Sequence, residues 1–524
     1  MKKKLVLKKL LIGLLLFASI TSYGQKNKFH VNINEKTFGK NFVSDTEIKG
    51  IQYIFPDRIH EFFLDTTAGF LTVQLRGIKK EKWLRNKGNI LQYDLNNKEL
   101  LWSKKIAYQV SSLQQFSNTM IFTVANKSYC LDINTGNELW EVKNNIYYVD
   151  PVDNIGIGYR YKSSTGYSNE LEGINLKNGE AIWKKELNRE YGWNDVFYTN
   201  DSTLVVVAAG LHSININNGL GWDYNTITGK KDYSGTVAAN VAGAALGLLT
   251  GTFVMSTGHN LVRDVVSNVL MDSLNIYFSS MEQLAKIDKN SGEIIWSHPF
   301  PKDLPSKSTI FMDDSLVYMI NKGYALMGYR QLSFGKSFIA AFEKDTGEQK
   351  YLSIINVKDD PILGFKIMDE NIYLVFKNKI ARYSHETGSL INEKIFPNEK
   401  FGELKYFVGN QVFITNEDEE YISLPQSDTT KLYVFTSNGK TLSIDNQLNV
   451  VETIDYEDLS IYYLHSKGYK FIAHDKLTWI IDNNGQKIAK INITSEAFII
   501  GKTLYEKQND TFITIDLSTI IKDE

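Results

Sequence analysis

The side chains best suited to catalysis or metal binding are few in this sequence and widely scattered. His30, His60, His212, His259, His298, His385, His465 and His474 form no His-x-x-x-His pair and have no carboxylate at a zinc-holding spacing. Surface or hydrogen-bonded strand positions are expected for most of them. Ser333-Phe334-Gly335-Lys336 and Ser437-Asn438-Gly439-Lys440 fit Ser-x-x-Lys, where a lysine would activate a serine nucleophile, but the companion motifs of that chemistry are missing. Glu417-Asp418-Glu419-Glu420 lack the alternating ligand spacing of a calcium loop, and no Gly-x-x-x-x-Gly-Lys phosphate loop occurs. Cys130, the one cysteine, cannot form an intrachain disulfide. No catalytic residue, metal ligand or cofactor is assigned, and an enzyme is not expected.

The chemistry of recognition is better represented. Trp83 stands among Lys79, Lys80, Lys82, Arg85 and Lys87; Arg160, Tyr161 and Tyr167 follow Tyr159; and Tyr329 and Arg330 form a third group. Aromatic and arginine side chains are favoured where partners bind tightly. A solvated hairpin tip is the plainer reading of the lysines.

These groups must be held by the elements around them, and the strongest of those elements is a turn. In Leu131-Asp132-Ile133-Asn134-Thr135-Gly136-Asn137-Glu138-Leu139-Trp140 an alternating strand ends at Asp132, whose carboxylate can accept hydrogen bonds from the amides ahead. Gly136 supplies the left-handed residue of a short hairpin loop, and Trp140 opens the return strand. Copies run from Asp94 to Trp102, with Lys98 in place of glycine, and from Asn175 through Gly179 to Trp183. Others hold Gly219 with Trp222 one residue early, Asp288 with Gly292 and Trp296, Gly347 with Tyr351, and Gly388 without an aromatic. Weaker turns follow at Asp445, Asp482 and Asp516. A period of about 40 residues, each with roughly four short strands, is that of propeller blades, in which a large aromatic fills the wedge between sheets.

The Asp-x-x-Thr-Gly-x-x-x-Trp pattern resembles the tryptophan-docking repeat of the pyrroloquinoline-quinone-like propellers. That family includes quinoprotein alcohol dehydrogenases and the propeller lipoprotein of the outer-membrane β-barrel assembly machinery. The resemblance covers about residues 60 to 520 and implies an all-β, single closed β-propeller of about eight four-stranded blades, up to ten. The quinoprotein cofactor of the family is gripped partly by adjacent cysteines and a calcium ion, a pair that one cysteine cannot supply. A strand before the first blade, such as Phe29 to Ile33, is expected to complete the last one and close the ring, removing exposed edges.

Residues 229–262 interrupt the repeat. No Asp, Glu, Lys or Arg occurs from Tyr233 to Val262, and Ala239, Gly243, Gly247 and Gly251 recur every fourth residue. On a helix such residues form a smooth stripe permitting close approach. Packing on the propeller, peripheral membrane contact through 236–256, and a glycine-rich loop are the readings. The long loops 77–88, 161–172 and 327–336 join second to third strands, whereas the insertion joins one blade to the next. Those connections emerge on one face, which makes that face the candidate for binding.

A net charge of −2, with 43% hydrophobic and 12% aromatic residues, fits a globular chain and implies no nucleic-acid partner. Lys2, Lys3, Lys4, Lys8 and Lys9 precede the apolar run Leu10 to Ile20 and Ser22-Tyr23-Gly24, as in a secretory signal cleaved before Gln25. An uncleaved anchor is the alternative, for which the run is short. The expected organisation is a signal at 1–24, an N-terminal segment at 25–57 and the propeller at 58–524. The function expected is a non-catalytic scaffold binding unidentified proteins in the periplasm or cell envelope. The alternatives are a quinoprotein-like oxidoreductase and glycan or small-molecule binding in the central channel.

Overall fold

Short runs of alternating apolar residues, each closed by an Asp, Asn or Gly turn, make most of the described residues strand. The computed structural model describes residues 29–80, 83–108, 111–116, 119–124, 126–150, 152–162, 166–188, 192–231, 261–327, 330–355, 360–408, 412–415, 421–423, 431–455, 459–474 and 476–521. Among the described residues the strands form ten four-stranded antiparallel blades. Blades 1 to 9 span 58–107, 111–142, 144–186, 195–225, 270–299, 308–354, 364–395, 404–455 and 459–491. Blade 10 takes three strands from 498–516 and its fourth from the N-terminal segment. The ten signature turns therefore each mark a blade, at the upper end of the expected range.

The fourth strand of blade 10 is Thr46–Ile54, further along the chain than the expected 29–33. It pairs with Thr511–Asp516, Gly50 lying opposite Ile515. Asn32–Asn41 folds back on it and reaches the outer strand of blade 9, Gly39 lying opposite Ile491. A Cβ at Gly39 would lie 1.9 Å from the Lys490 carbonyl oxygen, so glycine is required for that approach. Blades 9 and 10 thus share one continuous sheet.

Apolar clusters join each blade to the next from 1 to 8, then 9 to 10 and 10 back to 1. Between blades 8 and 9 the hairpin Val412–Thr415 and Tyr421–Ser423 adds to the first strand of blade 9, Leu459–Ser466. First strands of neighbouring blades touch directly, as Phe62 stacks on Phe498 and Phe311 on Phe365. They line the axis, and the fourth strands form the rim.

Toward the rim the sheets diverge, and the signature aromatics fill the gap. The Asp132 carboxylate accepts from the amides of Asn134 and Thr135 at 3.0 and 2.8 Å, and Gly136 turns the chain at φ 70°. Trp102, on the preceding blade, lies against that glycine and donates its indole N–H to the Ile133 carbonyl at 2.7 Å. The same contact joins Trp140 to Leu176, Trp183 to Ile216, Trp222 to Lys289 and Trp296 to Lys344. Tyr351 repeats it with its hydroxyl on the His385 carbonyl. Each docked ring sits where a Cβ on the turn glycine would project, 2.3 to 2.9 Å away.

The departures follow the same rule. Lys98 keeps the left-handed backbone, φ 56°, and the outer strand of the preceding blade, Thr46–Ile54, carries no tryptophan to dock there. At blade 8 the turn residue is Leu448, φ 64°, whose side chain is itself buried between blades 7 and 8. Arg382 of blade 7 there donates to the Asn446 carbonyl at 3.1 Å, the position an indole would occupy.

Two glycines separate the docking effect from backbone strain. Gly292 (φ 74°) lies under Trp222, whereas at Gly485 (φ 82°) a Cβ would have nothing within 4 Å of it. Alanine at either site pays the left-handed penalty of about 1–2 kcal/mol. Only Gly292→Ala adds overpacking, about 1–3 kcal/mol more. Thermal melts of the two variants are expected to show the larger loss for Gly292→Ala; equal losses would mean that the docked ring yields freely.

Candidate functional site

Because blade strands alternate in direction, connections between second and third strands and those between blades leave the ring on one face. The stretch expected as a loop at 77–88 is a hairpin that extends its blade. Strands Phe70–Lys79 and Trp83–Asp94 run on past a bulge between Arg76 and Ile78. Gly88 allows it, since a Cβ there would lie 1.8 Å from the Leu75 carbonyl oxygen. Arg76 ties the bulge by donating Nε–H to the Arg85 carbonyl at 2.9 Å. At the tip Trp83 is 70% exposed. Lys79, Lys80, Arg85 and Lys87 are also exposed, and Lys82 lies outside the described residues.

Residues 161–172 are likewise a hairpin, of Ile155–Lys162 and Gly166–Asn175, with Tyr161 opposite Tyr167. Arg160 is engaged within its own blade. It lies 3.5 Å from both Glu170 and Glu172, which Lys184 also holds at 3.0 and 3.1 Å. The hydrogen bond from Lys184 keeps the Glu170 carboxyl below its ordinary range. Tyr159 is buried and takes a hydrogen bond from the Trp193 indole.

The third stretch is built jointly with the insertion. Tyr324–Met327 and Arg330–Ser333 form a hairpin inside blade 6, and Leu261–Arg263 pairs with it, Val262 opposite Met327. Lys230–Lys231 completes a small four-stranded side sheet, Lys231 lying opposite Leu261. Both ends of the insertion are therefore adjacent and anchored over Val262, Val265 and Ala325. Arg330 is exposed beside it. Tyr329 and the insertion glycines Gly243, Gly247 and Gly251 lie outside the described residues, as do Glu417–Glu420 and the expected signal at 1–24. Asp132, Gly136, Trp140, Trp102, Trp183, Gly292 and Trp296 belong to the docking framework.

Sequence reasoning missed a groove of about 1100 Å³ between the blade 1 hairpin and blade 2. Lys105, on the outer strand of blade 1, joins Lys79, Arg85 and Lys87 around it, and Asp57 is the one carboxylate among the described residues that line it. No local pattern marks Lys105, because it reaches the groove from another strand. Beside it, on the inner strand Arg58–Asp65, His60 packs edge-on against Tyr108 at 5.1 Å, and the Arg76 guanidinium lies over the same ring at 4.6 Å. Burial, then the charges of Arg76, Lys507 and Arg58, push the His60 imidazole down to about 4. Burial also raises the neighbouring Glu61 carboxyl, against a hydrogen bond from Gln74. Among the described residues no three His, Cys, Asp or Glu side chains gather to hold a metal ion, and no helix is long and apolar enough to cross a membrane.

Ring, blade and docked indole together define a β-propeller of the tryptophan-docking kind. Residues 84–297 match the family model described as outer membrane protein assembly factor BamB. No curated protein matches the chain. Similar solved structures include BamB from Moraxella catarrhalis, 11% identical, covering 72% of this chain and 96% of that one with a TM-score of 0.31. Apo AztD from Citrobacter koseri is 12% identical over 70% and 92%, with a TM-score of 0.30. The dihydro-heme d1 dehydrogenase NirN is 10% identical over 84% and 76%, with a TM-score of 0.29.

His60 gives this region a pH signature. Its proton affinity is lowered in the fold, so below the ordinary value of 6.5 the unfolded chain binds a proton that the native chain refuses. Stability contributed by neutral His60 is thus complete above 6.5 and lost as pH falls toward about 4. Thermal melts between those values are expected to fall less steeply for His60→Gln than for the parent; parallel curves would refute the assignment. The effect is reduced by the group's partial solvation.

Proposed function

We propose that this chain is an exported, non-catalytic β-propeller that acts as a protein-interaction scaffold in the cell envelope, on the periplasmic side of the inner membrane. The carrying observation is the gathering of four elaborations on one face of a repeated ring. The blade 1 and blade 3 hairpins, the blade 6 hairpin and the insertion all leave there, while blades 5 and 7 turn tightly at the same position, 279–283 and 375–379. The match of residues 84–297 to an assembly-factor family named for outer-membrane proteins supports the envelope setting. The basic, apolar and small-residue order of residues 2–24 supports export. Trp83, Arg85, Tyr161, Tyr167, Tyr329 and Arg330 are the contact residues proposed on this face; Arg160 steadies its hairpin. A second reading, a small ligand in the channel, rests on a hollow of about 420 Å³ beside Phe62, Phe63 and Phe498.

The insertion tests the working face. Since Lys231 and Leu261 are already paired, replacing 235–258 by a short Gly-Ser linker closes a loop whose ends are already adjacent. The melting transition is expected to stay nearly in place while capture of envelope proteins falls sharply. A large loss of melting temperature with binding intact would show that the insertion is packing rather than contact. Export has its own check: N-terminal sequencing of the protein from envelope fractions is expected to begin near Gln25, and an intact Met1 in a membrane fraction would refute cleavage.

A further inference from the structure

We infer that the groove between the blade 1 hairpin and blade 2 is a docking slot for an extended acidic segment of a partner protein, one in which carboxylates alternate with apolar side chains. This rests on the scaffold reading and names the chemistry of one partner.

Charge is the first argument. Lys79, Arg85, Lys87 and Lys105 surround the groove, and among the described residues none of them is ion-paired. Strand lysines elsewhere do find partners: Lys104 meets Glu138, Lys127 meets Glu141 and Lys379 meets Glu393. The chain has 58 basic and 60 acidic residues, so four unpaired cations around one cavity that, among the described residues, is lined by a single carboxylate are a local excess.

Shape and floor are the second. Leu84, Ile106, Phe122 and Val124 contribute apolar surface between the cations. An extended strand sends successive side chains to opposite sides, so one alternating acidic and apolar residues meets both kinds of surface. The volume of about 1100 Å³ exceeds the ordinary range of small-ligand pockets, about 300–1,000 Å³. Trp83 stands uncovered at the rim, and the bulged hairpin that carries it is tied by the Arg76 bond, so little ordering is needed on binding. A nucleic acid fits less well: the net charge is −2, and the groove has an apolar floor rather than a series of exposed aromatic platforms.

The test uses the mature chain and a fluorescein-labelled peptide alternating Glu and Leu, read by anisotropy. Saturable binding that weakens with added salt is expected. The triple variant Lys79→Glu, Arg85→Glu, Lys87→Glu is expected to weaken it about tenfold or more at an unchanged melting temperature, and Lys105→Glu, on a separate strand, to weaken it several-fold. No saturable binding, equal affinity in the folded variants, or tighter binding of a thymidine oligonucleotide than of the peptide would overturn the slot. Envelope capture with parent and triple variant separates the two readings. Partners retained undiminished by the triple variant, with the peptide unbound, sink the slot alone; no partner on the parent sinks the scaffold.

Discussion

Flat sheets set radially around an axis must separate as they run outward, and an unfilled gap there would cost both contacts and stability. In blades 1 to 5 an indole fills that gap and, by donating its N–H to a carbonyl in the next turn, also fixes the angle between neighbours; in blade 6 the Tyr351 ring does the same. The turn must present a bare backbone to the ring, which is why glycine is needed for two reasons at once: the left-handed torsion and the absence of a Cβ. At Gly136, Gly179, Gly219, Gly292, Gly347 and Gly388 both demands coincide. The carboxylate of half-buried Asp132 or Asp288 then shapes the turn locally, so the turn itself is specified within about nine residues.

Where the aromatic lapses, different physics takes over. Leu448 reverses the contact, sending a side chain from the turn into the gap, and Arg382 keeps the hydrogen bond to the turn carbonyl. Between blades 8 and 9 an added hairpin supplies ladder bonds, and between 9 and 10 the N-terminal hairpin does so. The later part of the ring is thus held more by backbone pairing across blades, and the earlier part by docked rings.

These two kinds of junction differ in how they read from sequence. Trp140 and Gly136 announce a blade because the turn that carries them is local, although each docks onto a neighbouring blade. The closing strand is a long-range pairing, and its Ile48 and Ile51 alternate no more clearly than the residues at 29–33, so the sequence offered two equivalent strands. Gly77 and Gly88 looked like loop signals; Gly88 instead permits a bulge within a stiff hairpin. Arg160 was indistinguishable from a contact residue because its partners, Glu170 and Glu172, both lie on the next strand. The groove was invisible for a similar reason, being assembled from a hairpin, an outer strand and a neighbouring blade.

The docking rule also explains why one face is decorated. The turn that receives each indole joins third to fourth strands and therefore lies on the opposite face, where any lengthening would move the glycine and carbonyl away from the ring. Connections from second to third strand and between blades carry no such duty, so hairpins and an insertion can grow there without disturbing a junction. The hairpin 412–423 tests the logic from the other side. It departs between the first and second strands of blade 8, on the docking face, but leaves the third-to-fourth turn untouched, and that turn is the one where Leu448 has replaced the glycine-indole contact. Recognition surfaces and ring stability are thereby built from separate connections of the same repeat.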